Sequence, residues 1–179
     1  MRARSEPDWP GDLRAVTDGD AGNVRRLIGD CFAEYEGCVL DPDGVDAWMK
    51  APASWYADKD GQFWVLTAAD GVGLAACVGW TAEGADRIEL KSLYVSAAAR
   101  RQGLGRRLVA LVETAARERD CAAVLLWSDT RFLDAHRLYE GLGYQQTGDQ
   151  RALNDPSSSI EYGFIKHLPT APGGRVSAR

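Results

Sequence analysis

Apolar positions along this chain shift between a spacing of two and a spacing of three or four, and each shift marks an element. Residues 13–17 alternate as a short strand. Val24, Leu27, Ile28, Cys31, Phe32 and Tyr35 then recur along one helix face, with Asp18 or Asp20 placed to cap it. Residues 44–57 hold Trp48, Met49, Trp55 and Tyr56 and are broken by Pro52, a pattern that predicts a short second helix and a loop. Three strands are expected next, at 62–69, 72–80 and 87–95, separated by Asp70-Gly71 and Glu83-Gly84; the first two make a hairpin. Leu104, Leu108, Leu111, Val112 and Ala115 share one face of a long helix that ends near Asp120. A buried strand at 122–127 follows, then a helix with Leu133, His136, Leu138, Tyr139 and Leu142 that stops at Gly141 or Gly143, then strands at 144–153 and 159–168. Hairpin strands first and strand-helix-strand units later specify a mixed sheet with helices on its faces.

Between the strand at 87–95 and the long helix lies Arg100-Arg101-Gln102-Gly103-Leu104-Gly105. Two glycines let the backbone turn tightly and approach a ligand, while the unpaired N–H groups of a helix start present a positive dipole end. Arg100, Arg101, Arg106 and Arg107 add formal charge, so the segment reads as a diphosphate cradle. A glycine turn with solvated arginines satisfies the same residues, and local context alone does not separate the two. Leu108 replaces the third glycine of a dinucleotide fingerprint and no Gly-Lys-Ser/Thr follows, which removes the Rossmann and P-loop readings.

A length of 179 residues and a hydrophobic content of 45% suit one domain. The folded unit is expected at 12–168, with flexible polar tails at 1–11 and 169–179. No apolar run approaches the roughly 20 residues of a membrane span, and the start lacks a secretory apolar segment, so a soluble, cytoplasmic protein with no membrane partner is expected. Cys31, Cys38, Cys77 and Cys121 are scattered without a Cys-x-x-Cys pair, and His136 and His167 are the only histidines. Buried free thiols, structural histidines and no metal site are the expectation. The formal charge of -5 hides an asymmetry: residues 1–90 carry 17 acidic against 8 basic side chains, and residues 91–179 carry 9 against 13. The second half suits an anion and the first half a cation, although a solvated face explains a surplus equally. No basic stripe interleaved with aromatics is present, so nucleic acid is not an expected partner.

Taken in order, these features resemble the GNAT family of N-acetyltransferases. Arg100-x-x-Gly103-x-Gly105 matches the family's pyrophosphate loop, preceded by Leu93-Tyr94-Val95 at the strand end; Ala135-His136-Arg137-Leu138-Tyr139-Glu140-Gly141-Leu142-Gly143-Tyr144 matches its Ala-x-x-Leu-Tyr segment. The resemblance implies an α/β (α+β) fold, a mixed, mostly antiparallel sheet of six to seven strands with helices on both faces. It also implies acetyl-CoA or a related acyl-CoA as cosubstrate. On that basis the backbone of Arg101, Gln102, Gly103, Leu104 and Gly105 holds the diphosphate, and Arg106 or Arg107 meets the outer phosphate. Backbone groups of Leu93 and Val95 pair with the pantetheine amides, as in strand addition. The asparagine often found three residues before the Ala of the second motif is Phe132 here, and Asp129-Thr130-Arg131 are placed to take over its hydrogen bonding.

Tyr139 occupies the family position that protonates the departing thiolate. A phenol of pKa about 10 can serve a thiolate of pKa about 8.5 to 9 only when well positioned; a core aromatic role explains the same spacing. Glu89 is the first choice of general base, with a surface ion pair to Lys91 as its structural alternative. Asp129 is the second choice, otherwise a helix cap, and Glu161 is the third. The expected activity is direct acetyl transfer to a primary amine of a small molecule or peptide. A non-catalytic acyl-CoA sensor and a protein lysine or N-terminal acetyltransferase are the alternatives. Glu34 to Asp41 with Trp48, Trp55 and Tyr56 can line an acidic, aromatic acceptor pocket; helix core and surface acids explain them as well. The resemblance also allows a homodimer.

Overall fold

Among the described residues, seven strands and four α-helices follow one another as β1 (Leu13–Ala15), α1 (Ala21–Phe32), α2 (Pro52–Ala57), β2 (Gln62–Thr67), β3 (Leu74–Glu83), β4 (Arg87–Val95), α3 (Leu104–Glu118), β5 (Ala123–Asp129), α4 (Leu133–Gly141), β6 (Gln145–Ala152) and β7 (Ile160–His167). They belong to a computed structural model that describes residues 9–169; most of both expected tails, 1–8 and 170–179, lies outside the described residues. The sheet order is β1-β2-β3-β4-β5-β7-β6. Only β4 and β5 pair in parallel, as expected of a mixed, mostly antiparallel sheet joined there by one helical crossover.

Alternation along the strands divides the interior into two layers. Ile88, Leu90, Val124, Leu126 and Phe164 face Leu104, Leu108 and Val112 of α3. Phe63, Val65 and Cys77 face Val24, Leu27 and Ile28 of α1, and Tyr56 of α2. Pro52 begins α2 instead of breaking a helix, since the first helical position has no use for an N–H. The aromatic residues expected to border an acceptor pocket lie in this second layer. Tyr56 stacks on Phe63 with centroids 4.8 Å apart, and Trp48 meets both rings edge-on. Tyr56 is buried in this layer and half-buried Trp48 packs against it, which corrects the pocket reading for Tyr56.

The feature that positions the site is a divergence between β4 and β5. Their ladder runs only from Arg87/Ala123 to Leu90/Leu126, while β4 continues beside β3 to Val95 and β5 beside β7 to Asp129. Cys77 faces Tyr94 and Gly79 faces Lys91, so β4 carries one residue more than β3 over this interval and Ser92 adopts φ +54°. Such a bulge bends and twists its strand. Tyr56 Oη donates to Ser92 Oγ at 2.9 Å and Cys77 Sγ donates to the Ser92 carbonyl at 3.3 Å, which holds the distortion in place.

At the other end of the chain's fold, β1 is tied to α1. Both oxygens of buried Asp20 accept from Arg14, at 2.8 Å each, and Asp20 Oδ2 also accepts from the Thr17 N–H and Oγ1. Hydrogen bonding to Arg14 outweighs burial and holds the Asp20 carboxyl well below its ordinary range. A group whose folded pKa is depressed contributes its full stability above the unfolded value, about 3.9, and loses it as pH falls toward the folded value. Asp20→Asn is therefore expected to cost about 1–2 kcal/mol at pH 7, and the gap from the parent protein should narrow at pH 3 in urea unfolding.

Candidate active site

After β4 the chain makes a short 3-10 turn at Ala97–Ala99 and enters the glycine segment. Arg101 has φ +65° and Gly103, the N-cap of α3, has φ +75°. Alternating left-handed residues turn successive N–H groups toward one side, a concavity suited to an anion. No side chain caps α3, so its first amides stay available. The turn borders a cleft of about 480 Å³ that opens where β4 leaves β5.

Leu93, Tyr94, Val95, Arg100, Arg101, Gly103, Leu104, Gly105 and Arg106 all line this cleft. Gln102 lies instead on a neighbouring hollow of about 200 Å³ beside Trp9 and Arg107. The opposite wall comes from Phe132, Ala135 and Leu138 at the start of α4 and from Cys31 and Tyr35 at the end of α1. Ser96 N–H bonds the Ala75 carbonyl at 2.8 Å; strand alternation therefore turns the backbone groups of Leu93 and Val95 away from β3, toward the opening. There the Val95 carbonyl accepts from Arg100 Nε at 3.0 Å and from Cys31 Sγ at 3.6 Å.

Tyr139 is 5% exposed and lies among Leu108, Tyr144 and Phe164, on the α3 side of the sheet. Burial alone pushes its phenol well above the ordinary value, so the hydroxyl keeps its proton. Glu89 is 9% exposed, one residue before the ladder between β4 and β5 ends. Alternation from Ile88 and Leu90 puts it on the other face, where it meets Lys91 Nζ at 2.5 Å and Arg151 at 3.9 Å. Glu161 pairs with Arg151 at 2.6 Å, completing a run of alternating charges beside Trp127, over whose ring Arg151 lies at 4.5 Å. Tyr139 and Glu89 thus stand on opposite sides of the sheet near the divergence.

Asp129 closes β5 and is 6% exposed. Its carboxylate accepts from the Arg131 N–H at 2.9 Å, Nε at 2.8 Å and Nη2 at 2.7 Å. Burial works to raise its pKa, but the bonds and charge of Arg131 outweigh burial and leave it below the ordinary value. The cap of α4 is Phe132, so Asp129 folds the preceding turn instead. His136 is structural, with Nε2 3.0 Å from the Asp129 carbonyl oxygen.

Cys31, Asp134 and Arg137 line the cleft without a binding signal in the sequence, and Tyr35, from the segment expected to border an acceptor pocket, lines it with them. Glu34 contacts Arg100 through both oxygens, at 2.5 and 2.7 Å. The helix periodicity that carried Cys31 and Tyr35 was visible; their meeting with residues more than sixty positions onward was not.

A fold with an amide-rich turn at the mouth of a divergent strand pair defines a class. The model of the acetyltransferase (GNAT) family matches residues 24–144, more than half of the chain, and the chain belongs to that family. It is similar to N-acetyltransferase 8F1 of Rattus norvegicus, 31% identical over 130 residues that cover 71% of this chain and 57% of the relative. N-acetyltransferase 8B of the same species is 33% identical over 125 residues, 68% of this chain and 54% of the relative. The chain therefore spans little more than half the length of these curated relatives. Among solved structures, an acetyltransferase of the GNAT family from Staphylococcus aureus Mu50 superposes with a TM-score of 0.74 at 15% identity, covering 88% of this chain and 99% of that one. An aminoglycoside 6'-N-acetyltransferase complexed with coenzyme A gives 0.65 at 15% identity, with 90% and 99% covered. These two likenesses establish the fold. No helix among the described residues is long and apolar enough to cross a membrane.

Replacing Asp129 by Ala removes three bonds to Arg131 and should lower stability by about 1–3 kcal/mol, read as a shift of the urea midpoint at neutral pH.

Proposed function

We propose that this chain transfers the acetyl group of acetyl-CoA to a primary amine by direct attack in a ternary complex. The observation that carries the reading is that one cleft joins the amide-rich turn at 101–105 to the unpaired flank of Leu93 and Val95. The turn would hold the diphosphate through backbone N–H groups, with Arg106 beside it. Because Arg100 and Cys31 already bond the Val95 carbonyl, the Leu93 carbonyl and the Val95 N–H are left for the pantetheine amides or the reacting carbonyl.

In the reaction the amine lone pair attacks the thioester carbon, a C–N bond forms, and the C–S bond breaks from the tetrahedral intermediate. The amine's surplus proton goes to Glu89, directly or through a water, and the thiolate takes its proton from Tyr139. Backbone N–H near Val95 steadies the oxyanion. Burial raises the basicity of a thiolate for the same reason that it raises the phenol, so transfer inside the cleft is less uphill than the free values imply. Proximity supplies much of the rate, since both reactants are held before any bond changes.

The reading is tested by free-thiol release from acetyl-CoA with a panel of amino acids, polyamines, aminoglycosides and peptides. Thiol release that depends on an amine is the expected result; binding of acetyl-CoA without release across the panel would support a sensor. Tyr139→Phe is expected to lower kcat about 10²-fold or more while acetyl-CoA affinity stays near the parent value. Unchanged turnover would reject the acid role.

A further inference from the structure

Arg100 opens the glycine motif, yet its guanidinium turns away from the turn it begins. Nε donates to the Val95 carbonyl at 3.0 Å, Nη1 and Nη2 grip the two oxygens of Glu34 at 2.5 and 2.7 Å, and Nη2 stands 3.8 Å from Cys31 Sγ. A two-pronged carboxylate grip with a third bond to a carbonyl uses the planar fork as a bracket. We propose that Arg100 is a positioning residue and not a phosphate ligand: with Glu34 it ties the segment after α1 to the end of β4 and so sets the width of the donor cleft. This rests on the reading of that cleft as the acetyl-CoA site.

The tied segment carries the aromatic side of the cleft. Tyr35, next to Glu34, packs at a tilt against Phe132 with centroids 4.7 Å apart, and Phe32 meets both Phe132 at 6.1 Å and Tyr94 at 5.9 Å. Phe132 stands where the resemblance calls for an asparagine. The Phe132 ring cannot hydrogen-bond a pantetheine arm as an asparagine would; it can only confine it, so its distance from Leu93 and Val95 governs the fit. Lysine at 100 would supply a point charge without the fork and should not replace arginine.

The test compares two ligands by calorimetry and competition: coenzyme A, and 3'-phosphorylated ADP (written ADP below), which keeps the adenosine and every phosphate but lacks the arm. Arg100→Gln should weaken coenzyme A about fivefold or more and leave ADP within about twofold. Equal losses for both ligands would instead make Arg100 a phosphate ligand and overturn the proposal. The reversed pair Glu34→Arg with Arg100→Glu should bind coenzyme A at least about threefold tighter than either single reversal; a pair no better than its weaker member would also overturn it. If the reversals fail to fold, Glu34→Gln and Arg100→Gln serve. Non-additive shifts of the urea midpoint support the tie and additive shifts refute it. A parent protein that binds neither coenzyme A nor ADP defeats the acetyl-donor reading, while the urea cycle still decides whether the tie exists.

Discussion

The parting of β4 from β5 beyond Leu90 and Leu126 is the constraint on which the site depends. A parallel ladder that stops short leaves backbone donors and acceptors facing a partly buried gap, and such groups are costly unless they find partners. The Val95 carbonyl finds Arg100 and Cys31; the rest of that flank is open to a ligand. The bulge at Ser92 makes the divergence, and a left-handed serine is itself unfavourable by about 1–2 kcal/mol. Tyr56 and Cys77, both from the α1 and α2 side of the molecule, hold it there. The layer on the α1 and α2 side is therefore what keeps the turn's neighbour strand bent.

The uneven charge of the two halves is answered largely inside the molecule. Glu34 meets Arg100, Asp60 meets Arg119, and Glu89 meets Arg151, each pair joining the acidic first half to the basic second half. The first two pairs are solvent-exposed and contribute little individually. Their placement matters more, because Glu34 with Arg100 borders the cleft and Glu89 with Arg151 lies beside the opening on the other face. The surplus that suggested two ligands is thus partly an internal complementarity, leaving Arg101 and Arg106 on the cleft wall.

Local signals made much of this fold legible. The face of α3, the glycine segment before it and the alternation of β2 to β4 are written within a few residues of one another, and Gly103 takes the left-handed geometry that the tight turn into α3 uses. The bulge was not legible: Ser92 carries none of the glycine or asparagine preference that marks positive φ. Nor was the arrangement of the carboxylates. Asp129 is placed in the sequence to cap a helix, yet its carboxylate takes three bonds from Arg131, because the partner two residues on binds it before any helix amide does. Tyr56 looked able to border a pocket and packs into the core, since an aromatic residue at helical spacing serves either end and only the position of β3 decides. Tyr139 shows the same ambiguity from the other side, being a core aromatic by packing whatever its hydroxyl does.

Val39 and Ser157 exchange two bonds across the molecule: the Val39 N–H reaches Ser157 Oγ at 2.9 Å, and that hydroxyl donates back to the Val39 carbonyl at 3.0 Å. One serine thus closes both backbone groups of a residue that belongs to no helix or strand, across 118 positions of sequence. The connection after α1 and the connection between β6 and β7 are consequently pinned to each other, so exposure of the Val39 amide to solvent exchange requires this contact to part.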